Sequence, residues 1–121
     1  MIRDILVTII IMIVLDAPYL YYISPMFKSM VKTIQGTEVE LKLYAAVICY
    51  FLMSVGVHIF LIEKDASLLE AFLLGILVYG VFEATSMSVF DKWSPVVAGI
   101  DTLWGGILFF LVVYIKRTIV N

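Results

Sequence analysis

About 20 mostly apolar residues are enough for a helix to cross the hydrocarbon core of a bilayer. This chain holds four such stretches, at Ile5 to Ile23, Leu43 to Ile62, Leu68 to Phe90 and Val96 to Ile115. They take up most of its 121 residues and leave no room for a soluble domain. A hydrophobic content of 64% points the same way, since soluble domains are nearer half. The reading is therefore a single transmembrane domain over residues 1–121, built as an all-α, antiparallel four-helix bundle in the membrane. The first stretch runs straight on into Asp16 with only Arg3 as a basic flank, so it reads as a span rather than a cleaved signal sequence. Cys49 is the sole cysteine, which rules out an intrachain disulfide framework.

Between the first two spans, Ser24-Pro25 looks like a helix cap with proline at the first position, and Gly36 like a stop. Met26, Phe27, Met30, Val31 and Ile34 recur at helical spacing against Lys28, Ser29, Lys32, Thr33 and Gln35. The pattern predicts a short interfacial amphipathic helix over Pro25 to Gln35. Pro18 predicts a kink beside Asp16. Thr37 to Glu40 and Ser67 to Glu70 read as capping boxes, and Ser94-Pro95 as a third helix start. Gly80, Ala84 and Ser88 form one small-residue stripe and Ala98, Thr102 and Gly106 another, and the two are expected to face each other. His58, near the end of its span, reads chiefly as a polar end-marker, with a proton relay as the less favoured alternative.

Three carboxyls interrupt the spans: Asp16, Glu83 and Asp101. A central Asp costs about 2.5 to 3.5 kcal/mol to insert, so an acid at this depth calls for a reason. In an antiparallel arrangement all three lie roughly 8 to 10 Å below the same face. Tyr50 comes level with them, and Tyr19, Ser86 and Trp104 stand three residues from an acid on their own helices. No lysine or arginine lies inside any span, so the layer is expected to take up protons or a hard cation, with the metal unspecified.

Two readings of this layer follow. One is movement of protons, a cation or a small polar solute, for which four short helices suggest a homo-oligomer or a membrane partner. The other is a structural or assembly protein of a cellular or viral membrane, with protonated acids as interhelical hydrogen-bond partners worth about 0.6 kcal/mol per bond. Three acids at one depth favour the first. An enzyme acting on lipid is the least supported reading, because no nucleophile-base pair, metal-ligand motif or phosphate loop accompanies the carboxyls. No cofactor and no nucleic acid is called for; the lipid bilayer is the expected partner. Orientation is undecided, with Arg3, Lys64, Lys116 and Arg117 on one side balancing Lys28, Lys32, Lys42 and Lys92 on the other.

The residues around the acids also carry a resemblance. Leu15-Asp16 with Tyr19-Leu20 and Phe27, then Phe82-Glu83-Ala84-Thr85-Ser86, then Trp93 with Pro95, and finally Asp101-Thr102-Leu103-Trp104-Gly105 occur in that order over nearly the whole chain. Together they resemble a family of small four-span predicted membrane proteins, the domain of unknown function 2177 family. The chain departs from that pattern at Glu83, Ser86 and Tyr19, where aspartate, asparagine and tryptophan are expected. The resemblance implies an integral membrane protein and no particular activity.

Overall fold

A computed structural model describes residues 1–119, and four helices account for most of them. They are α1 (Ile2–Gln35), α2 (Leu43–Val57, continuing as a π-turn over His58–Ile62), α3 (Leu68–Val89) and α4 (Pro95–Thr118). No strand occurs among the described residues. All four helical stretches are long and apolar enough to cross a membrane. Ile10, Val14, Val47, Phe51, Leu77 and Val81 are exposed on the outside, where lipid tails rather than water suit them. The protein is an integral membrane protein.

The first helix corrects the sequence reading. No separate interfacial helix begins at Pro25: α1 runs unbroken for 34 residues through Pro18 and Pro25 to a left-handed Gly36. A proline removes one backbone donor but does not force a stop when packing holds the helix on both sides. Here Phe27, Met30 and Ile34 pack against Trp93, Val97 and Ala98 at the start of α4, which anchors the final turns. At 1.5 Å per residue α1 is about 51 Å long, some 20 Å more than a hydrocarbon core of about 30 Å requires.

Thr37 to Glu40 is not a capping box, because α2 starts only at Leu43 with Lys42 before it and no side-chain cap. The Gln35 side-chain amide instead donates to the carbonyls of Thr37 and Glu38. The other two caps form as expected. Ser67 and Glu70 bond reciprocally at 3.1 and 3.0 Å, and Ser94 Oγ accepts from the Val97 amide at 3.2 Å.

Helices α3 and α4 pack most closely, α1 lies against both α2 and α4, and α2 and α3 hardly meet. Glycine sets the α3–α4 approach. A Cβ on Gly75 would fall on the Gly105 carbonyl, and one on Gly106 would come within 2.8 Å of Phe72. The two small-residue stripes do border one groove but close only in part. Gly80 meets Thr102, while Gly80, Ala84, Ala98 and Thr102 line an open cleft beside them. At the end of the bundle holding the chain termini, the buried Lys116 Nζ bonds Asp4 Oδ1 at 3.2 Å, and Arg117 donates to the Leu61 carbonyl.

Candidate intramembrane acid site

The three acids come to a common level for simple geometric reasons. Glu83 lies six residues before the end of α3 and Asp101 six after the start of α4, so each is about 9 Å in from the connecting turn. Asp16 lies on the stripe of α1 that passes through Asp4, Thr8 and Met12 at four-residue steps. Thr8, Met12 and Asp16 are all buried, so this stripe faces the interior of the bundle.

Asp16 has both carboxyl oxygens partnered. Trp104 Nε1 donates to Oδ1 at 2.7 Å, and the Tyr50 hydroxyl donates to Oδ2. The Tyr19 ring stacks on Trp104 with centroids 4.8 Å apart and planes 9° from parallel. Its hydroxyl donates to Asp101 Oδ1 at 2.9 Å. Asp101 and Glu83 both line one cavity at this level. Glu83 is buried and accepts from Trp93 Nε1 at 2.8 Å. Phe27, Phe82 and Phe90 surround the Trp93 ring and hold the indole in place.

A continuous line of contacts thus runs from Tyr50 on α2 to Asp16 on α1, Trp104 on α4, Tyr19 on α1 and Asp101 on α4, and Glu83 on α3, held by Trp93 of the α3–α4 turn, borders the same cavity as Asp101. Every donor onto a carboxyl in this line is an aromatic O–H or N–H, and no basic side chain takes part among the described residues.

Besides the open cleft along Gly80 and Ala84, which Glu83 also lines, two cavities reach the line. One of about 600 Å³ has Tyr19, Glu83 and Asp101 at one end and apolar walls that include Leu20, Ile23, Phe27 and Val97. Lys28, nine residues beyond Tyr19 and so about 13 Å further along α1, also lines it. The other, of about 260 Å³, lies where α2 and α3 stand apart, and joins Cys49 and Met53 to Tyr79, Phe82 and Asp101. Asp101 and Phe82 border both.

The layer differs from the sequence reading in three respects. Asp16 is set apart from the other two acids by the Tyr19–Trp104 stack, and among the described residues no group of three or more His, Cys, Asp or Glu side chains is placed to hold a metal ion. Ser86 is buried, but its hydroxyl bonds none of the acids. Trp93, which the sequence singled out only as part of a resemblance, is the donor to Glu83. The signal was its position: ten residues past the acid, in a turn too short to carry an indole far away.

No curated protein and no solved structure matches the chain. One family model does, over residues 1–116, and its description is that of a predicted membrane protein, DUF2177. Four apolar helices and a family match over nearly the whole length leave one conclusion: this chain belongs to the DUF2177 family of predicted membrane proteins.

Proposed function

We propose that the protein moves protons across its membrane through the layer formed by Asp16, Glu83 and Asp101, with Tyr19, Tyr50, Trp93 and Trp104 holding the carboxyls in place. The observation that carries this reading is that Glu83 and Asp101 line the same cavity with no basic side chain bonded to either. Two neighbouring carboxyls without a basic partner repel each other when both are ionised, which favours a proton on one of them. A shared proton fits the space and needs no further ligands, whereas a hard cation asks for six or more oxygens. The 600 Å³ cavity supplies access on one side.

The test is proton and cation flux in proteoliposomes, comparing wild type with the triple variant Asp16→Asn, Glu83→Gln, Asp101→Asn, both verified as folded. Proton flux that vanishes in the variant is the expected result. Absence of flux in the wild type overturns the reading.

One observation favours a second reading, that of a membrane scaffold. Three aromatic-to-acid hydrogen bonds tie α1 to α2 and α4, and a fourth holds Glu83 of α3 to the turn that leads into α4. At about 0.6 kcal/mol each they amount to much less than the cost of inserting three acids. A scaffold requires the triple variant to lose stability or assembly, with no flux to lose.

A further inference from the structure

The acid layer and the large cavity lie toward one end of the bundle; the way to the other end runs along the seam between α1 and α2. On α2, Tyr50, Ser54 and His58 follow one another at four-residue steps and therefore share a face. The antiparallel pairing that sets Tyr50 on Asp16 sets Ser54 opposite Met12 and His58 opposite Thr8, with Asp4 one turn further on. Ser54 is fully buried and His58 nearly so, and Ser54 Oγ and His58 Nδ1 have no hydrogen-bond partner among the described residues. Unpaired buried polar atoms are rare because each costs about 1 to 3 kcal/mol. Two of them in succession, in line with Tyr50, call for a function. The π-turn begins at His58, and such turns are frequent at functional sites.

We propose that the α1–α2 seam is the second half of the path, a single-file proton relay running from His58 through Ser54 and Tyr50 to Asp16. This inference rests on the proton-moving reading of the acid layer. Successive polar groups stand about 6 Å apart along the helix, a gap that one water molecule bridges. A protonated His58 gives the proton on Nδ1 to the bridging water. That water passes one of its own protons to Ser54 Oγ, and Ser54 releases its hydroxyl proton to the next water. The second water protonates the Tyr50 oxygen, and Tyr50 gives its original O–H proton to the Asp16 carboxylate. Each water and hydroxyl ends with the number of protons it began with, the imidazole has lost one and Asp16 has gained one. The Tyr50 hydroxyl already donates to Asp16, the orientation the last transfer needs.

The outer end of the relay is equipped to take up protons. His58 Nε2 lies 3.2 Å from Glu63 Oε1, and the Glu63 side chain is half exposed. From α1, Asp4 faces the same region, partnered by Lys116 of α4; Arg117 of α4 turns instead to Leu61 and Asp65.

Ser54→Ala and His58→Gln in the full chain, reconstituted into liposomes with a pH-sensitive dye inside, test the relay. Ser54→Ala removes an unpaired buried hydroxyl and is expected to be at least as stable as wild type, so that a change in flux is not a folding defect. Both variants are expected to lower proton flux on the order of a hundred-fold, the scale of losing a positioned proton-transfer group. If both retain wild-type flux while the triple acid variant has none, the relay is wrong and the acid layer stands. If wild type carries no protons, both fall together.

Discussion

Tyr19 lies flat on Trp104, and the two stacked rings serve different acids: the phenol donates to Asp101, the indole to Asp16. Each ring sits on the helix of the acid it does not serve. Side chains three residues apart on a helix point in similar directions, outward from the same face. A long donor therefore reaches the acid of the facing helix more readily than the one beside it. The stack couples α1 to α4 at two points with one pair of rings.

This coupling has a measurable size. Tyr19→Phe and Trp104→Phe each remove one interhelical hydrogen bond, and each is expected to cost about 0.6 kcal/mol, up to about 1.7. Because the rings touch, the double variant is expected to deviate from the sum of the singles. Thermal or denaturant unfolding in detergent of the four proteins gives the coupling directly; strict additivity would mean that the two hydrogen bonds act independently of each other.

The close approach of α3 and α4 makes a second prediction. Gly75→Ala places its methyl on the Gly105 carbonyl, a backbone atom that has no rotamer to move to. A loss of about 1 to 3 kcal/mol is expected, the usual range for overpacking. Gly99→Ala meets nothing within 4 Å and is expected to be neutral or to gain up to about 1 kcal/mol from helix propensity. Equal effects of the two substitutions on unfolding would contradict the packing described for this helix pair.

At the termini, the ion pair of Asp4 and Lys116 is unequal. The Lys116 side chain is 8% exposed and that of Asp4 is 44% exposed. Asp4→Asn leaves an ammonium enclosed without its carboxylate, while Lys116→Met leaves a carboxylate that can turn to water. The first is expected to be the more destabilising, by about 1 to 3 kcal/mol relative to the second. The order of the two midpoints in the same unfolding assay decides the matter.

Trp93 holds two things at once, the Glu83 carboxyl and the last turns of α1. Trp93→Ala is expected to loosen Phe27 to Gln35 while α3 and the rest of α4 keep their protection. Hydrogen exchange followed by mass spectrometry shows this as faster labelling confined to that segment. Uniformly faster exchange through all four helices would mean that Trp93 supports the whole bundle instead.

The four-helix architecture was legible because length and apolar content dictate it, and the depth of Glu83 and Asp101 followed from counting residues to the turn between them, whereas Asp16 sits mid-helix with no turn near it to count from. Pairing was not legible. Tyr19 and Trp104 were placed beside their own neighbours by three-residue spacing, and only the packed helices show that the partners cross over. Pro25 misled for a related reason. The local signals for a helix start were all present, yet the contacts of Met30 and Ile34 with the start of α4 lie more than fifty residues away in sequence and decide the outcome. His58 read chiefly as a polar end-marker until burial showed its Nδ1 without a partner.

Tyrosine and tryptophan donors stabilise the acids without bringing any positive charge of their own. The net charge of the layer is therefore set by how many protons the carboxyls hold, and it changes by a full unit with each proton gained or lost. On the proton-moving reading, such a layer feels the membrane voltage. Glu83 and Asp101 lie about 9 Å in from their turn, so a proton arriving from the far face crosses roughly two thirds of a 30 Å core. At about 2.3 kcal/mol per charge per 100 mV, that crossing is worth about 1.5 kcal/mol, enough to shift the occupancy of the layer by about ten-fold between a resting and a collapsed potential.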